Sequence, residues 1–180
     1  MEKGISPAKS GLQFGVLFGV LMVLEFVVMY IVGMKSLVNT SVGLIVNIAN
    51  YLVLPLVFIY LGCTNYKKNA NNGFISMGES LKTGVSITFI AALIYAVFNV
   101  IFNFIFPDFI NEMVSISREA MLAKKPDMTS EQLEMGLSVM KKFMNPFIVL
   151  PATLAMYSFF GLIYSLIVGA IVKNENPQSF

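Results

Sequence analysis

Four long apolar runs, separated by polar breaks, set the pattern of this chain. They extend over about residues 12–34, 42–62, 83–106 and 147–172. Each is close to the ~20 residues that cross a ~30 Å hydrocarbon core at 1.5 Å per residue, so each predicts a transmembrane helix. Lys3 and Lys9 precede the first run, as in a secretory leader. The run is longer than a leader's apolar region of about 7–15 residues, and no small-residue cleavage site follows, so it reads as a retained anchor.

The polar breaks carry structure of their own. In the 63–82 connection, Tyr66-Lys-Lys68 leads to the turn signal Asn71-Asn72-Gly73. Ser76 then stands three residues before Glu79, a capping box that opens the third helix. The 107–146 connection is too long to be structureless. Phe109, Met113, Ile116 and Ala120 fall at helical spacing, and so do Leu133, Leu137, Met140 and Met144. Lys124-Lys-Pro-Asp127 separates the two stripes, and Thr129 with Gln132 forms a second capping box, which Met128 and Leu133 are placed to staple. These signals predict an amphipathic helical hairpin outside the membrane. Its stripes are too small for a core of their own and must cover each other, the bilayer surface or a partner. The expected fold class is therefore an all-α membrane protein: one membrane domain over residues 1–180, a four-transmembrane-helix bundle with an extracytoplasmic helical insert at 107–146.

Composition agrees and narrows the chemistry. Hydrophobic residues make up 57% of the chain and charged residues only 12%, about half the share of a soluble domain. A net charge of +2 from scattered basic residues gives no reason to expect a nucleic-acid partner. The partner this pattern demands is the lipid bilayer. With no histidine and a single cysteine, Cys63, the chain lacks the residues for His-held zinc or haem, for a disulfide within the chain and for His-based catalysis. No metal, cofactor or enzymatic activity is expected. Half of the 12 methionines lie in the long insert. Thioethers bind Cu(I), yet no tight M-x-M array occurs, and gap-filling is the stronger reading.

Orientation follows from Lys and Arg. Lys3, Lys9, Lys67, Lys68, Lys82 and Lys173 fall on the side of both termini, against Lys35, Arg118, Lys124, Lys125, Lys141 and Lys142 opposite. The insert also carries Asp108, Glu112, Glu119, Asp127, Glu131 and Glu134, so it is not a basic block. The expected arrangement has both termini in the cytoplasm.

One carboxylate breaks the first run, in Val20-LMVLEFVVMYIV-Gly33: Glu25. Stacked by depth, Glu25 meets Asn50 and Tyr51 of the second span, Tyr95 and Asn99 of the third, and Tyr157 and Ser158 of the fourth. Pro55 adds a free acceptor, because it cannot bond the Tyr51 carbonyl four residues back. The small and polar stripes Gly43, Asn47, Asn50 and Gly84, Thr88, Ala92, Ala96, Asn99, Asn103 share that face, as does the seam Ala155, Ser158, Gly161, Ser165, Gly169. No Lys or Arg lies deep in any span. Glu25 then reads either as a neutral hydrogen-bonding strut among Asn and Tyr donors or as a proton- or cation-handling group, since acids within a membrane are functional candidates. Gly11, Gly15 and Gly19 form a repeated G-x-x-x-G pattern on a face about 80° from Glu25. Homodimerisation and packing within the bundle are equal readings of it.

The N-terminal Ile5-Ser-Pro with its glycine-spaced first span, Phe74-Ile-Ser-Met-Gly-Glu79 with Lys82-Thr-Gly84, and Lys141-Lys-Phe-Met-Asn-Pro146 together carry a likeness. The chain resembles a family of small four-span bacterial inner-membrane proteins catalogued only as a domain of unknown function. The resemblance implies that location and topology, and no activity or site. Three roles remain: an accessory or scaffold protein presenting the outer hairpin to a membrane-protein partner or a second copy, ranked first; an oligomeric small-solute or proton-linked transporter using Glu25; and, weakest, an intramembrane enzyme, for which no acid pair or activated nucleophile is in view.

Overall fold

The computed structural model describes residues 5–37 and 40–175, so Lys3 lies outside it. The described residues are helical, with no strand among them. Helix α1 (Pro7–Val32) starts where Ser6 accepts the Lys9 backbone N–H at 3.3 Å and proline opens the first turn. It stops at Gly33, whose φ of 100° suits glycine, and the short α2 (Met34–Leu37) follows.

The second span is one composite helix over Ser41–Ala70. It comprises α3 (Ser41–Ile48), a π-helical turn at Ala49–Val53, α4 (Leu54–Asn65) and a second π-helical turn at Tyr66–Ala70. It continues past the predicted end at residue 62 because its polar end finds partners while still helical. Tyr66 donates to Glu79 Oε1 at 2.9 Å, and Lys67 Nζ to the Val172 carbonyl at 2.8 Å. The turn expected at Asn71-Asn72-Gly73 comes only then, with Asn72 at φ 51° and Gly73 at φ 86°.

Helix α5 (Met77–Ile105) opens on the Ser76–Glu79 capping box, with Ser76 N–H donating to Glu79 Oε2 at 2.8 Å. It starts six residues before the predicted third span, which had left this turn at the interface. Helices α6 (Phe109–Lys124) and α7 (Ser130–Phe143) flank the Lys124–Asp127 break. Thr129 and Gln132 cap α7 reciprocally, both at 3.3 Å. Helix α8 (Pro146–Val172) begins where Asn145 Oδ1 accepts the Phe147 N–H at 2.9 Å.

Helix α5 is the centre of the molecule. It packs along α1 and α8, and α4 touches all three. Close approach depends on missing side chains. A Cβ on Gly11 or Gly15 would lie within 3 Å of the carbonyls of Thr83 and Ile87, and one on Gly19 would lie 2.9 Å from Ile94 Cβ. The glycine face of α1 is thus covered by α5 within the chain. Across α5 and α8, Gly84 receives Ser165 while Gly161 receives Thr88. Ala155, the first residue of the predicted seam, is exposed instead.

Large apolar side chains point outward, with Phe104 88% and Phe147 90% exposed. Monomeric soluble proteins rarely expose contiguous apolar surface on this scale. Four helices, Pro7–Val32, Ser41–Ala70, Met77–Ile105 and Pro146–Val172, are long and apolar enough to cross a membrane.

The two ends of the helix array differ. At one end Ile75 and Asn174 exchange backbone hydrogen bonds, both 2.9 Å, and the Tyr66–Glu79 and Lys67–Val172 contacts join them. At the other end Phe109 and Ile116 of α6 pack with Phe26, Met34 and Phe102. Val114 packs with Leu133 and Leu137 of α7, and Arg118 pairs with Glu134. Lys35 Nζ meets Glu119 at 2.9 Å, tying α2 to α6.

Candidate functional site

Proline and the π-helical turn shape the middle of the second span. Inserting one residue per turn rotates the residues of Ala49–Val53 relative to a regular helix, and such segments recur at functional sites. Asn50 and Tyr51 sit in this turn, directly before Pro55. The Tyr51 carbonyl that Pro55 cannot bond accepts the Tyr164 hydroxyl of α8 at 2.6 Å. That bond fixes the bend against the neighbouring helix.

Beside the bend lies a cavity of about 180 Å³. Glu25, Asn47, Asn50, Tyr51, Tyr95 and Tyr157 line it, with Met22, Phe26, Met29, Met34 and Val46 completing the wall. Such a volume holds several waters, since about 10–15 Å³ on this measure suffices for one. A second, more open cavity of about 540 Å³ shares Met29 and Asn47 and adds Thr40, Ser41, Gly43, Leu44 and Lys124. It forms a vestibule between the start of α3 and the end of α6. Toward the closed end the way is filled: Phe18 stacks on Phe58 at 5.1 Å, and Ile87, Ala91, Ala92 and Tyr157 pack around them. The acidic cavity therefore opens toward one end of the molecule.

Five of the seven residues expected at one depth line this cavity together: Glu25, Asn50, Tyr51, Tyr95 and Tyr157. Asn99 and Ser158 do not line it. Asn99 turns its Nδ2 back to the Tyr95 carbonyl of its own helix at 3.0 Å. Asn47 does reach the cavity; it stands three residues before Asn50, on the face where the sequence had already placed both.

The hydrogen bonds depart from the expectation that Asn and Tyr donate to Glu25. Asn47 donates to the Gly43 carbonyl at 2.8 Å, Asn99 to Tyr95, and Asn103 to Asn99 at 2.8 Å, each four residues back on its own helix. In an apolar medium a donor takes the nearest free acceptor, and on a helix that is the i−4 carbonyl. What remains is an excess of acceptors. Glu25 Oε2 and Asn50 Oδ1 are buried without a hydrogen-bond partner among the described residues, and so is Asn103 Oδ1 further along α5. None of the residues lining the acidic cavity is basic. A wall rich in buried oxygen acceptors, one of them a carboxylate, is suited to a positively charged or proton-donating guest.

A family model described as a protein of unknown function (DUF4199) matches residues 13–174. No curated protein and no solved structure matches the chain.

Proposed function

We propose, on the premise that this chain belongs to the DUF4199 family of proteins of unknown function, that it is a small-solute membrane protein holding a cation at Glu25. The observation that carries this reading is the pair of buried, unpartnered acceptors, Glu25 Oε2 and Asn50 Oδ1, at a cavity with no basic side chain. An unpaired buried acceptor costs about 1–3 kcal/mol, more when charged, and a cation in the cavity would offset that cost. The proposed role is binding and movement of a solute rather than catalysis.

In this reading the protein lies in a bacterial inner membrane with both termini cytoplasmic, as a four-helix bundle whose α6–α7 hairpin is extracytoplasmic. Lys67, Lys68 and Lys82 near the closed end support that orientation, and the vestibule beside Lys124 then faces outward. Glu25 is reached from outside, and passage inward requires the Phe18–Phe58 layer to move.

One observation favours the accessory role as a second reading. Met135, Val139 and Phe143, at four-residue spacing on α7, are exposed together and present an apolar stripe that a membrane-protein partner could cover. The solute site ranks first because it accounts for the unpartnered oxygens, which the accessory role leaves unexplained.

Carbodiimide coupling tests access to the carboxylate. Protein in sealed membranes, treated from the α6 side with a water-soluble carbodiimide and an amine, is expected to be modified at Glu25, as read by peptide mass spectrometry. Glu25 unmodified from both sides, with Glu119 or Glu134 labelled as controls, would overturn the reading.

A further inference from the structure

The lining of the acidic cavity bears on which cation it takes. A bare metal ion seeks about six oxygen ligands at short distance. The cavity offers one carboxylate and a small number of amide and phenol oxygens, and the rest of its wall is aromatic rings and thioethers. Tyr51 and Tyr157 have ring centroids 5.9 Å apart at an interplanar angle of 33°. Phe26 and Tyr95 stand at 6.4 Å in an edge arrangement. Met22, Met29 and Met34 supply polarisable sulfur-bearing walls. This inventory is poor for an alkali or divalent metal. It suits a cation that carries its charge under an apolar skin, for which aromatic faces beside an acid are the known form of recognition.

Resting on the reading of Glu25 as a cation site, we infer that the cavity is a cage for a small organic ammonium ion: Glu25 compensates the charge, and Tyr51, Tyr95, Tyr157 and Phe26 surround the alkyl groups. Size agrees. A cavity of roughly 150 Å³ admits benzene with its six heavy atoms; this one is about 180 Å³, and tetramethylammonium has five. The methyl groups of such an ion donate no strong hydrogen bond, so Asn50 Oδ1 and the phenol oxygens contact them electrostatically. A primary ammonium would instead satisfy Glu25 and Asn50 directly. The class therefore spans methylated and primary small amines, and excludes zwitterions whose own carboxylate would meet Glu25.

The test uses the full chain in detergent or nanodiscs, with tetramethylammonium chloride as probe and sodium and potassium chloride at matched ionic strength as controls. Tetramethylammonium is expected to protect Glu25 from carbodiimide coupling and to raise the unfolding temperature saturably, while sodium and potassium do neither. Tyr51→Leu is expected to weaken the protection about tenfold, and Tyr51→Phe, which keeps the ring, to stay within about threefold of the parent. Tyr51 is 41% exposed, so its replacement leaves the helix core in place. Protection by sodium or potassium and none by tetramethylammonium would overturn the ammonium cage while leaving the cation site standing. Glu25 inert to carbodiimide in every condition would remove both. Equal protection by tetramethylammonium in the parent and Tyr51→Leu would also overturn the cage, since the rings would then contribute nothing.

Discussion

Glu25 was placed by sequence reasoning at the right depth and beside the right tyrosines, but in the wrong hydrogen-bonding company. Depth is legible because a helix rises a constant 1.5 Å per residue. Hydrogen-bond choice is not, because Asn47, Asn99 and Asn103 each have a carbonyl of their own helix at 2.8–3.0 Å. That local acceptor competes successfully with a carboxylate on another helix. The consequence for stability is a sign. Were Glu25 a strut, Glu25→Leu would destabilise the fold. With Oε2 unpartnered, Glu25→Leu removes a buried polar group that nothing satisfies, so we expect it to raise the unfolding temperature in detergent by about 2–4 °C, equivalent to about 1 kcal/mol in a chain of this size. Glu25→Gln should leave that temperature within about 2 °C and abolish cation protection, because an amide carries no charge. A drop of 4 °C or more for the leucine variant would restore the strut. A site that is less stable than its apolar replacement is the usual signature of function.

At the scale of elements, the four spans were readable from hydropathy, and their ends were not. The second span overran its predicted end because Lys67 and Tyr66 reach Val172 and Glu79 without leaving the helix, a tertiary effect invisible to a composition window. The capping boxes at Ser76 and Thr129 were readable because both partners lie within four residues. The α5–α8 contact was half readable. The small residues announced close approach, while the interlock of Gly84 with Ser165 and of Gly161 with Thr88 needed the register of two helices. A Cβ at Gly84 would lie on the Ser165 hydroxyl. Gly84→Ala should therefore lower stability by about 1–3 kcal/mol, the usual cost of overpacking. Ser165→Gly in the same chain should recover most of it, as measured by unfolding temperature in detergent. Loss without recovery would mean that the two helices do not meet there.

For the whole molecule, the proposed orientation makes a prediction of sidedness. With Cys63 replaced by alanine, a cysteine at Asn71 should escape an impermeant thiol reagent in intact spheroplasts and one at Ser130 should react. The reverse labelling would turn the vestibule toward the cytoplasm and invert the direction of solute entry. The G-x-x-x-G face illustrates what a single chain's sequence leaves open at this scale. Its glycines signal a close helix partner and do not name it; the partner here is α5 of the same chain.

The closed end also has a place in time. Ile75 bonds Asn174, and Lys67 bonds Val172, so the connection after the second span is finished by residues synthesised after the last one. A chain halted before residue 174 can insert three helices and most of the fourth, yet the backbone groups of Ile75 stay open. Completion of synthesis is thus written into the structure as a seam that only the final residues can sew. An unfinished protein presents that seam unsewn to whatever surveys the membrane surface for chains to discard.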